Sequence, residues 1–459
     1  MKVIVLGAGR VGYGVAKELS LSENDVSIVD SSPAVLKIVA DKIDVRPVLG
    51  HASDIDVLIE AGIRDTDVLI AVTSSDEINI TSCQIANFMF DVETKIARIS
   101  KKSYFTNGDI FAHDKFSINV VVSPEIEISD IVKRSISIPG AIDILPCMGN
   151  DIKIIGIVCR GISPIVNIPL KFLTSVTDDI DIAIVAIRRG RGNIILPTKD
   201  DCLLADDEVY LACRPEETIH AMKLFGYDGE EASKIIMIGG GDMSDGIINA
   251  VLSQDAFNLS VKIIEQDAKK AEFLSERLNE IEVIPGNPLD IEVLRAAGVG
   301  EAIIVISMVD DDKTNIMACL LAKKLGAKRV SAVLSELNYS DLSYSLEIDS
   351  LLDSRQATVA KILRYLGRGG VEDILEFTDG DVEVFAIEVY KNSYAVGTIT
   401  DDIISKSEGY VVAIIRDGKI TMLPKRLLVD VGDKLLLVTK RNATGEILKL
   451  FQGKPKYLM

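Results

Sequence analysis

The sequence contains few of the residues that hydrolases and metal-dependent enzymes use for chemistry. It has 459 residues but only three histidines, and its six cysteines form no C-x-x-C pair. Neither a disulfide framework nor a zinc site is expected, and we predict buried, free thiols in a reducing compartment. No G-x-S-x-G, H-E-x-x-H or G-K-[ST] motif is present. The sequence therefore offers no nucleophile elbow, zinc-protease helix or Walker loop.

The chain also lacks excess positive charge and long apolar segments. Its formal net charge is −19, so it has no basic face to neutralise the phosphates of nucleic acid or of an anionic leaflet. No apolar run approaches the roughly 18 residues of a spanning helix, and no signal peptide is visible. We expect a soluble, cytoplasmic protein that does not insert into the membrane. Its acidic surface would suit a basic partner, such as the cytoplasmic loops of a membrane protein.

The first thirty residues carry a dinucleotide-binding fingerprint. An apolar run leads into Gly7-x-Gly9-x-x-Gly12, and a second apolar run ends on Asp30. Glycines at this spacing permit a tight turn, let a pyrophosphate approach the backbone and allow the helix to pack close to the strand. The helix N-terminus offers free N–H groups to phosphates. Asp30 can accept hydrogen bonds from ribose hydroxyls, and its charge favours NAD over NADP.

Strands and helices alternate through residue 123, and the second half of the chain repeats the first. Short strands with hairpin signals follow, and then KIIMIGGGDMS (234–244) echoes KVIVLGAGRVG. The pairs Gly50/Gly286 and Asn79/Asn315 share one offset, since 286 − 50 and 315 − 79 both equal 236. The predicted fold is therefore α/β, with two doubly wound Rossmann-type parallel sheets, each followed by a small α+β module in an A-B-A′-B′ duplication.

The predicted limits of these parts follow the changes in pattern. They are 1–123 (first nucleotide-binding domain), 124–140 (hinge or crossover), 141–226 (small module), 227–233 (linker), 234–339 (second nucleotide-binding domain), 340–370 (second hinge or crossover) and 371–453 (second small module).

The motifs, taken in order, resemble those of one family. GAGRVG with Asp30, GHASD, AVTSSDEIN and ARIS, together with the duplication, resemble the Trk-type potassium-uptake regulatory subunits, the TrkA family of tandem RCK/KTN domains. The resemblance covers essentially the whole chain. It implies a non-enzymatic protein, peripheral on the inner face of the cell membrane through a separate potassium-translocating integral membrane subunit. Binding of NAD, NADH, ATP or ADP would reshape a ring of eight lobes, which for a two-lobed chain is a homotetramer.

The resemblance also implies a set of cofactor-binding residues around the phosphate loop and the ends of strands two, four and five. They are Gly7, Ala8, Gly9, Arg10, Val11, Gly12, Asp30, Thr73, Ser74 and Arg98, with Gly239, Gly241 and Glu265 in the second copy. Arg10 departs from a plain dehydrogenase fingerprint, and its guanidinium can recognise terminal phosphates. The alternatives are an exposed Arg10 without a ligand and an Arg98 that only forms a strand-end salt bridge.

The second copy differs from this pattern. Its substitutions are Ser244 for Gly12, Asp242 for Arg10, and Val309 and Asp310 for Thr73 and Ser74, and no arginine matches Arg98. Because a carboxylate repels a nearby pyrophosphate, we predict that the second crevice binds nucleotide weakly, binds a different nucleotide or stays empty. We interpret the acidic run 310–312 as a helix N-cap, with a divalent-cation site as the alternative.

Three functions remain open from the sequence. They are a nucleotide-dependent regulator of a potassium-translocating subunit, an NAD-dependent dehydrogenase, and a nucleotide-sensing scaffold for another partner. A dehydrogenase needs an acid or base beside the nicotinamide, and none of His51, His113 and His220 is placed for that role. A duplicated binding unit with one altered copy favours regulation, with coupling through residues 124–140 and 340–370.

Overall fold

The computed structural model describes most of the chain. The described residues are 1–22, 24–106, 111, 117–138, 140–175, 181–190, 194–227, 233–252, 259–278, 281–335, 347–366, 371–376, 382–403 and 409–451. Two compact units emerge, each built from two stretches of sequence. The first combines Met1–Lys133 with Ala232–Leu363, and the second combines Arg134–Glu231 with Arg364–Met459.

The first lobe of the first unit is a doubly wound α/β sheet. Its elements are β1 (Lys2–Leu6), α1 (Arg10–Leu21), β2 (Asp25–Asp30), α2 (Pro33–Ala40), β3 (Arg46–Leu49), α3 (Ile55–Ala61), β4 (Val68–Ala71), α4 (Asp76–Phe90), β5 (Thr94–Arg98), α5 (Ser103–Thr106), β6 (Val120–Val122) and α6 (Pro124–Ser137). The strands are parallel in the order β3-β2-β1-β4-β5-β6. The strand order reverses between β1 and β4, where α/β sheets of this kind bind ligands.

The second lobe repeats this arrangement. Its elements are β12 (Ser233–Ile238), α8 (Asp242–Leu252), β13 (Leu259–Glu265), α9 (Ala268–Arg277), β14 (Glu282–Pro285), α10 (Ile291–Ala297), β15 (Ile304–Ser307), α11 (Asp312–Lys324), β16 (Val330–Leu334), β17 (Ser350–Asp353) and α12 (Ser354–Leu366). The strand order is β14-β13-β12-β15-β16-β17. The central strands are buried on both faces, as parallel strands covered by helices are.

The small modules are antiparallel sheets with one longer helix each. The first contains β7 (Ala141–Cys147), β8 (Ile152–Val158), β9 (Ala183–Arg188), β10 (Ile194–Ile195), β11 (Glu208–Cys213) and α7 (Thr218–Leu224). The second contains β18 (Val371–Glu376), β19 (Val382–Glu388), α13 (Thr400–Ile403), β20 (Gly409–Arg416), β21 (Lys419–Met422), β22 (Lys434–Lys440) and α14 (Arg441–Phe451). Their strand orders, β10-β9-β11-β8-β7 and β18-β19-β22-β20-β21, are the same order read in opposite directions. The predicted duplicated α/β fold is confirmed.

Within the second unit the two modules share one hydrophobic core. Side chains of both sheets meet there, including Ile154, Val185, Val384 and Leu436. The Tyr410 hydroxyl, on the second module, donates to a backbone carbonyl of β9. Burial raises the pKa of Tyr410, so the phenol stays protonated and keeps this bond across the physiological range.

Within the first unit the two lobes exchange reciprocal contacts. An ideal Cβ on Gly14 of α1 would lie 3.0 Å from Cγ2 of Val359 on α12. The equivalent Gly246 of α8 faces α6, where its Cβ would lie 2.6 Å from Oγ of Ser129. Each lobe's last helix therefore packs against the first helix of the other lobe, at a glycine that lets the helices approach closely.

Ion pairs reinforce this contact between the lobes. Asp245 of α8 is paired both with Lys102 of the first lobe and with Arg277 of its own lobe. Burial raises the pKa of a carboxyl, but hydrogen bonds from Arg277 and Lys102 outweigh that effect, and the pKa of Asp245 lies below its usual value. A second pair joins Lys361 to Glu127 at 3.4 Å. Asp245 thus stays ionised and connects the lobes at neutral pH.

The cysteines behave as the sequence predicts. All six are free, and all are buried except Cys202, which is partly exposed. Burial raises the pKa of Cys83, Cys213 and Cys319 to about 12. Such thiols are protonated at neutral pH and are poor nucleophiles. None of the helices in the described ranges is both long and apolar enough to cross a membrane.

Candidate nucleotide-binding site

In the glycine-rich loop of the first lobe, each glycine has a different physical role. Gly7 has φ of +97°, and a Cβ there would come within 3.0 Å of the Thr73 backbone. A Cβ on Gly12 would lie 1.8 Å from the Gly7 carbonyl oxygen, so no side chain fits. By contrast, apart from its chain neighbours, no atom of the described residues lies within 4 Å of an ideal Cβ on Gly9. That open space above the loop is where a pyrophosphate approaches in this fold.

Asp30 is held at the end of β2 by the loop itself. One carboxylate oxygen accepts the Ala8 N–H at 2.7 Å, and the other accepts the Ser32 N–H at 2.8 Å. Ser32 then caps α2 through its hydroxyl. Each carboxylate oxygen can accept more than one hydrogen bond, so Asp30 retains capacity for ribose hydroxyls while it fixes the loop.

The ends of β4 and β5 are fastened together by Asn79. Its amide oxygen accepts the N–H of Thr73 at 2.9 Å and the Thr73 hydroxyl at 2.7 Å. Its amide nitrogen donates to the carbonyl of Thr73 at 3.2 Å and to that of Arg98 at 2.8 Å. Asn79 is fully buried. The Thr73 hydroxyl is thus engaged inside the protein, whereas Ser74 is exposed at the crevice.

Arg98 carries a buried donor that lacks a partner. One terminal nitrogen lies 3.5 Å from the Thr73 carbonyl oxygen. In the described parts of the chain, Nε of Arg98 has no hydrogen-bond acceptor. An unsatisfied buried N–H is costly, and an anionic ligand in the adjacent crevice would relieve that cost. Thr73 links the two elements, because an ideal Cβ on Gly7 would lie 3.0 Å from its backbone and a terminal nitrogen of Arg98 lies 3.5 Å from its carbonyl oxygen. The loop and the guanidinium are therefore close neighbours.

Arg10 leaves its own loop and contacts the other lobe. Its guanidinium donates to the carbonyl oxygen of Ser335 at 3.1 Å. Ser335 follows β16, and its N–H donates to Asp312 at 2.8 Å. Arg10 is exposed, so its side chain remains within reach of solvent and of a ligand. The first phosphate loop is therefore linked to the second lobe.

The second crevice has the same backbone conformation and the same loop-to-acid hydrogen bond as the first. Gly239 has φ of +101°, and Glu265, which is 8% exposed, accepts the N–H of Gly240 at 2.7 Å and that of Asp267 at 2.9 Å. Ser244, at the third glycine position, is buried and hydrogen-bonds to the carbonyl of Gly241. Gly239, Gly241 and Glu265 thus lie where the duplication predicts them.

The acidic run after β15 acts as a helix start. Asp311 caps α11 by accepting the N–H of Thr314 at 2.8 Å and the Thr314 hydroxyl at 2.6 Å. Hydrogen bonds from Thr314 hold the pKa of Asp311 below its usual value. Asp312 instead binds the backbone of Ser335. Among the residues that the structure describes, no cluster of three or more potential metal ligands is found, so the geometry supports the N-cap interpretation.

Sequence reasoning missed several residues that shape the site. Asn79 was visible only as a repeated residue, and its counterpart Asn315 makes the same contacts, with the backbone of Val309 and of Val333. The link from Arg10 to the second lobe joins residues 325 positions apart, and no sequence signal indicates it. His113 and most of the predicted linker 227–233 lie outside the described residues.

Fold and site together define a class of protein. Two dinucleotide-type lobes, each with a glycine loop and an acid at the end of its second strand, alternate in sequence with two small antiparallel modules. The same fold occurs in the GsuK RCK domain, which superposes with a TM-score of 0.58 at 17% identity over 97% of this chain and 94% of that one. The GsuK channel bound to NAD gives a TM-score of 0.59 at 17% identity, covering 98% of this chain and 78% of that one.

Sequence comparison identifies the family. Residues 3–124 and 235–353 match the TrkA-N domain, and residues 163–226 match the TrkA-C domain. The chain is 35% identical to the Trk system potassium uptake protein TrkA of Azorhizobium caulinodans, over 98% of this chain and 99% of that protein. It is 31% identical to the protein of the same name from Halomonas elongata, again over 98% and 99%. The chain belongs to the TrkA family, whose members are potassium uptake proteins and not dehydrogenases.

Proposed function

We propose that this chain is a regulatory subunit that binds NAD, NADH or an adenine nucleotide in its first crevice and thereby controls a potassium-translocating membrane subunit. It acts on the cytoplasmic side of the membrane, as a homotetramer that presents eight lobes. Family membership supports the transport role. The NAD-bound channel with the same fold supports the class of ligand.

One observation carries the binding proposal: a buried arginine of the first crevice has a donor without an acceptor among the described residues. Arg98 Nε is buried without an acceptor in the described chain. The loop leaves open space at Gly9, and Asp30 is fixed by the N–H groups of Ala8 and Ser32. An adenine dinucleotide would satisfy Arg98 through its phosphates and Asp30 through its ribose.

The contact of Arg10 with Ser335 offers a route from ligand to conformation. A phosphate bound at the loop attracts the Arg10 guanidinium more strongly than a neutral carbonyl does, because two opposite charges also attract each other directly. Nucleotide binding would then draw Arg10 away from Ser335 and change how the lobes pair. A ligand shifts such an equilibrium only by its difference in affinity for the two states.

We further propose that the change reaches the small modules through residues 124–140 and 340–370. The division between the two units falls inside α6, after Lys133, and inside α12, after Leu363. Both points lie within these two ranges. Residues 139, 340–346 and 367–370 of the ranges are outside the described chain.

Titration calorimetry with NAD, NADH, ATP and ADP tests the binding proposal on the full chain. Gly9→Asp places a carboxylate in the open space above the loop, so it should fold normally and abolish binding in the first crevice. Gly445→Asp is the matched control. Gly445 lies in α14 of the second unit, and outside its own helix backbone no described atom lies within 4 Å of its ideal Cβ. Equal binding by the wild-type chain and Gly9→Asp would refute the proposal.

A further inference from the structure

The second crevice contains a cation that the first crevice lacks. Nζ of Lys270 lies 4.0 Å from an ideal Cβ on Gly241, the counterpart of Gly9. The same ammonium lies 3.9 Å from Oε2 of Glu265, the counterpart of Asp30. It therefore stands between the phosphate loop and the ribose-binding acid of its lobe.

The position of Lys270 is specific to the second copy. Ser32 caps α2, and Asp267 caps α9. Counting three residues from each cap gives Val35 in the first lobe and Lys270 in the second. The second lobe thus has a charged side chain where the first has an apolar one, and this charge lies close to both the loop and the acid.

The contact between Lys270 and Glu265 is loose enough to be exchanged. A separation of 3.9 Å is long for a hydrogen-bonded pair, and the Lys270 side chain is 48% exposed. Glu265 has other hydrogen-bond donors than Lys270, since its two oxygens already accept the N–H groups of Gly240 and Asp267. Lys270 can therefore turn from Glu265 to a phosphate above Gly241 without leaving Glu265 unpartnered.

The part of the second crevice at the ends of β15 and β16 is unsuited to a second phosphate or a second nucleoside. Asp310, exposed at the position of Ser74, adds negative charge there. Val333, buried at the position of Arg98, offers no donor from its side chain. Asp242, at the sequence position of Arg10, adds a further negative charge to the loop. A crevice with the cation Lys270 beside the loop and these additional carboxylates suits a ligand whose charge is confined to a single phosphate.

We propose that the second crevice binds a ribonucleoside monophosphate, with Lys270 contacting the phosphate and Glu265 the ribose hydroxyls. Lys270 then determines the specificity of this crevice, in place of the arginines that serve the first. This inference rests on the proposed nucleotide-binding function, but it concerns a different lobe and a different ligand. The two crevices would bind two different nucleotides, and both ligands would act on the same pair of lobes.

Calorimetry with AMP on the full-length Gly9→Asp chain isolates the second crevice. We expect AMP to bind at one site per chain, and ATP and NAD to bind more weakly. Lys270→Val, which installs the residue of the first lobe, should weaken AMP binding by about tenfold or more, the value of a charge-assisted hydrogen bond. Lys270→Arg keeps the charge and should retain most of the affinity.

Lys269→Val is the matched control, since it removes the same charge from the adjacent exposed position of α9 and should leave AMP binding unchanged. Thermal melting without ligand checks that each variant folds. Absence of AMP binding to Gly9→Asp, or equal AMP affinity of Lys270→Val and its parent, would overturn the inference. NAD binding to the wild-type chain is scored separately, so failure of the first crevice and failure of the second are distinguishable.

Discussion

Replacing Asn79 by alanine should both destabilise the first lobe and impair its crevice. The Asn79 side chain is fully buried and makes four hydrogen bonds, three of them to Thr73 and one to the carbonyl of Arg98. Truncation leaves the N–H of Thr73 and two carbonyls without this partner. The loop after β4 and the end of β5, which carry Ser74 and Arg98, would then no longer be fixed relative to each other.

The expected loss in the free energy of unfolding of Asn79→Ala follows from these contacts. Each net hydrogen bond contributes about 1 kcal/mol, and a buried backbone group left unsatisfied costs roughly 1–3 kcal/mol. The Thr73 hydroxyl recovers part of this through its second acceptor, the carbonyl of Ser75 at 3.2 Å. We therefore expect the free energy of unfolding of the lobe to fall by about 3–5 kcal/mol.

Urea denaturation of the full chain, with and without NADH, measures this effect. Asn315→Ala is the matched variant, because Asn315 makes equivalent bonds to Ser307, Val309 and Val333 in the second lobe. Both variants should lose similar stability, but only Asn79→Ala should lose NADH affinity at temperatures where the chain remains folded. A stability loss below about 1 kcal/mol, or an equal effect of both variants on NADH, would contradict this reasoning.

Two further predictions concern charged residues. Arg98→Gln should weaken nucleotide binding about tenfold or more in calorimetry, with little change in melting temperature, because no ion pair of Arg98 is found in the described chain; a large melting shift without loss of binding would assign Arg98 a purely structural role. Asp245→Asn should cost the first unit about 1–2 kcal/mol at pH 7, since its partners are partly exposed. Because the pKa of Asp245 is lowered by folding, its contribution is present above the ordinary carboxyl pKa of about 3.9 and is lost as pH falls through the folded value. Urea unfolding from pH 3 to 7 should therefore show that acidification lowers the free energy of unfolding less for Asp245→Asn than for the wild-type chain. An equal decrease in both chains would contradict this prediction.

Local pattern and internal repetition predicted much of the fold. The apolar runs identified the central strands. The constant offset between the halves predicted that the second lobe repeats the first. These features depend on residues close in sequence or on direct repetition, which is why the sequence reveals them.

The contacts that organise the crevices are long-range, and the sequence does not encode them as a pattern. Arg10 is predicted to contact a phosphate, but spacing does not reveal that its guanidinium also contacts Ser335 of the other lobe. Thr73 is predicted at the crevice, but spacing does not reveal that its hydroxyl donates to Asn79. Lys270 lies on a polar helix next to Lys269, and only the folded backbone places its ammonium beside Gly241. Each depends on how separate elements pack, which spacing alone does not determine.

The central claim is that a nucleotide held in the first crevice controls potassium movement through a partner subunit. Its most direct test is potassium flux into vesicles that contain the membrane subunit of the same transport system, with the full chain added and with NAD, NADH, ATP or ADP present in turn. The account predicts that at least one nucleotide changes the flux with the wild-type chain and with Gly445→Asp, and that the change disappears with Gly9→Asp. A nucleotide-dependent flux that is unchanged in Gly9→Asp would contradict the account, as would a flux that no nucleotide alters.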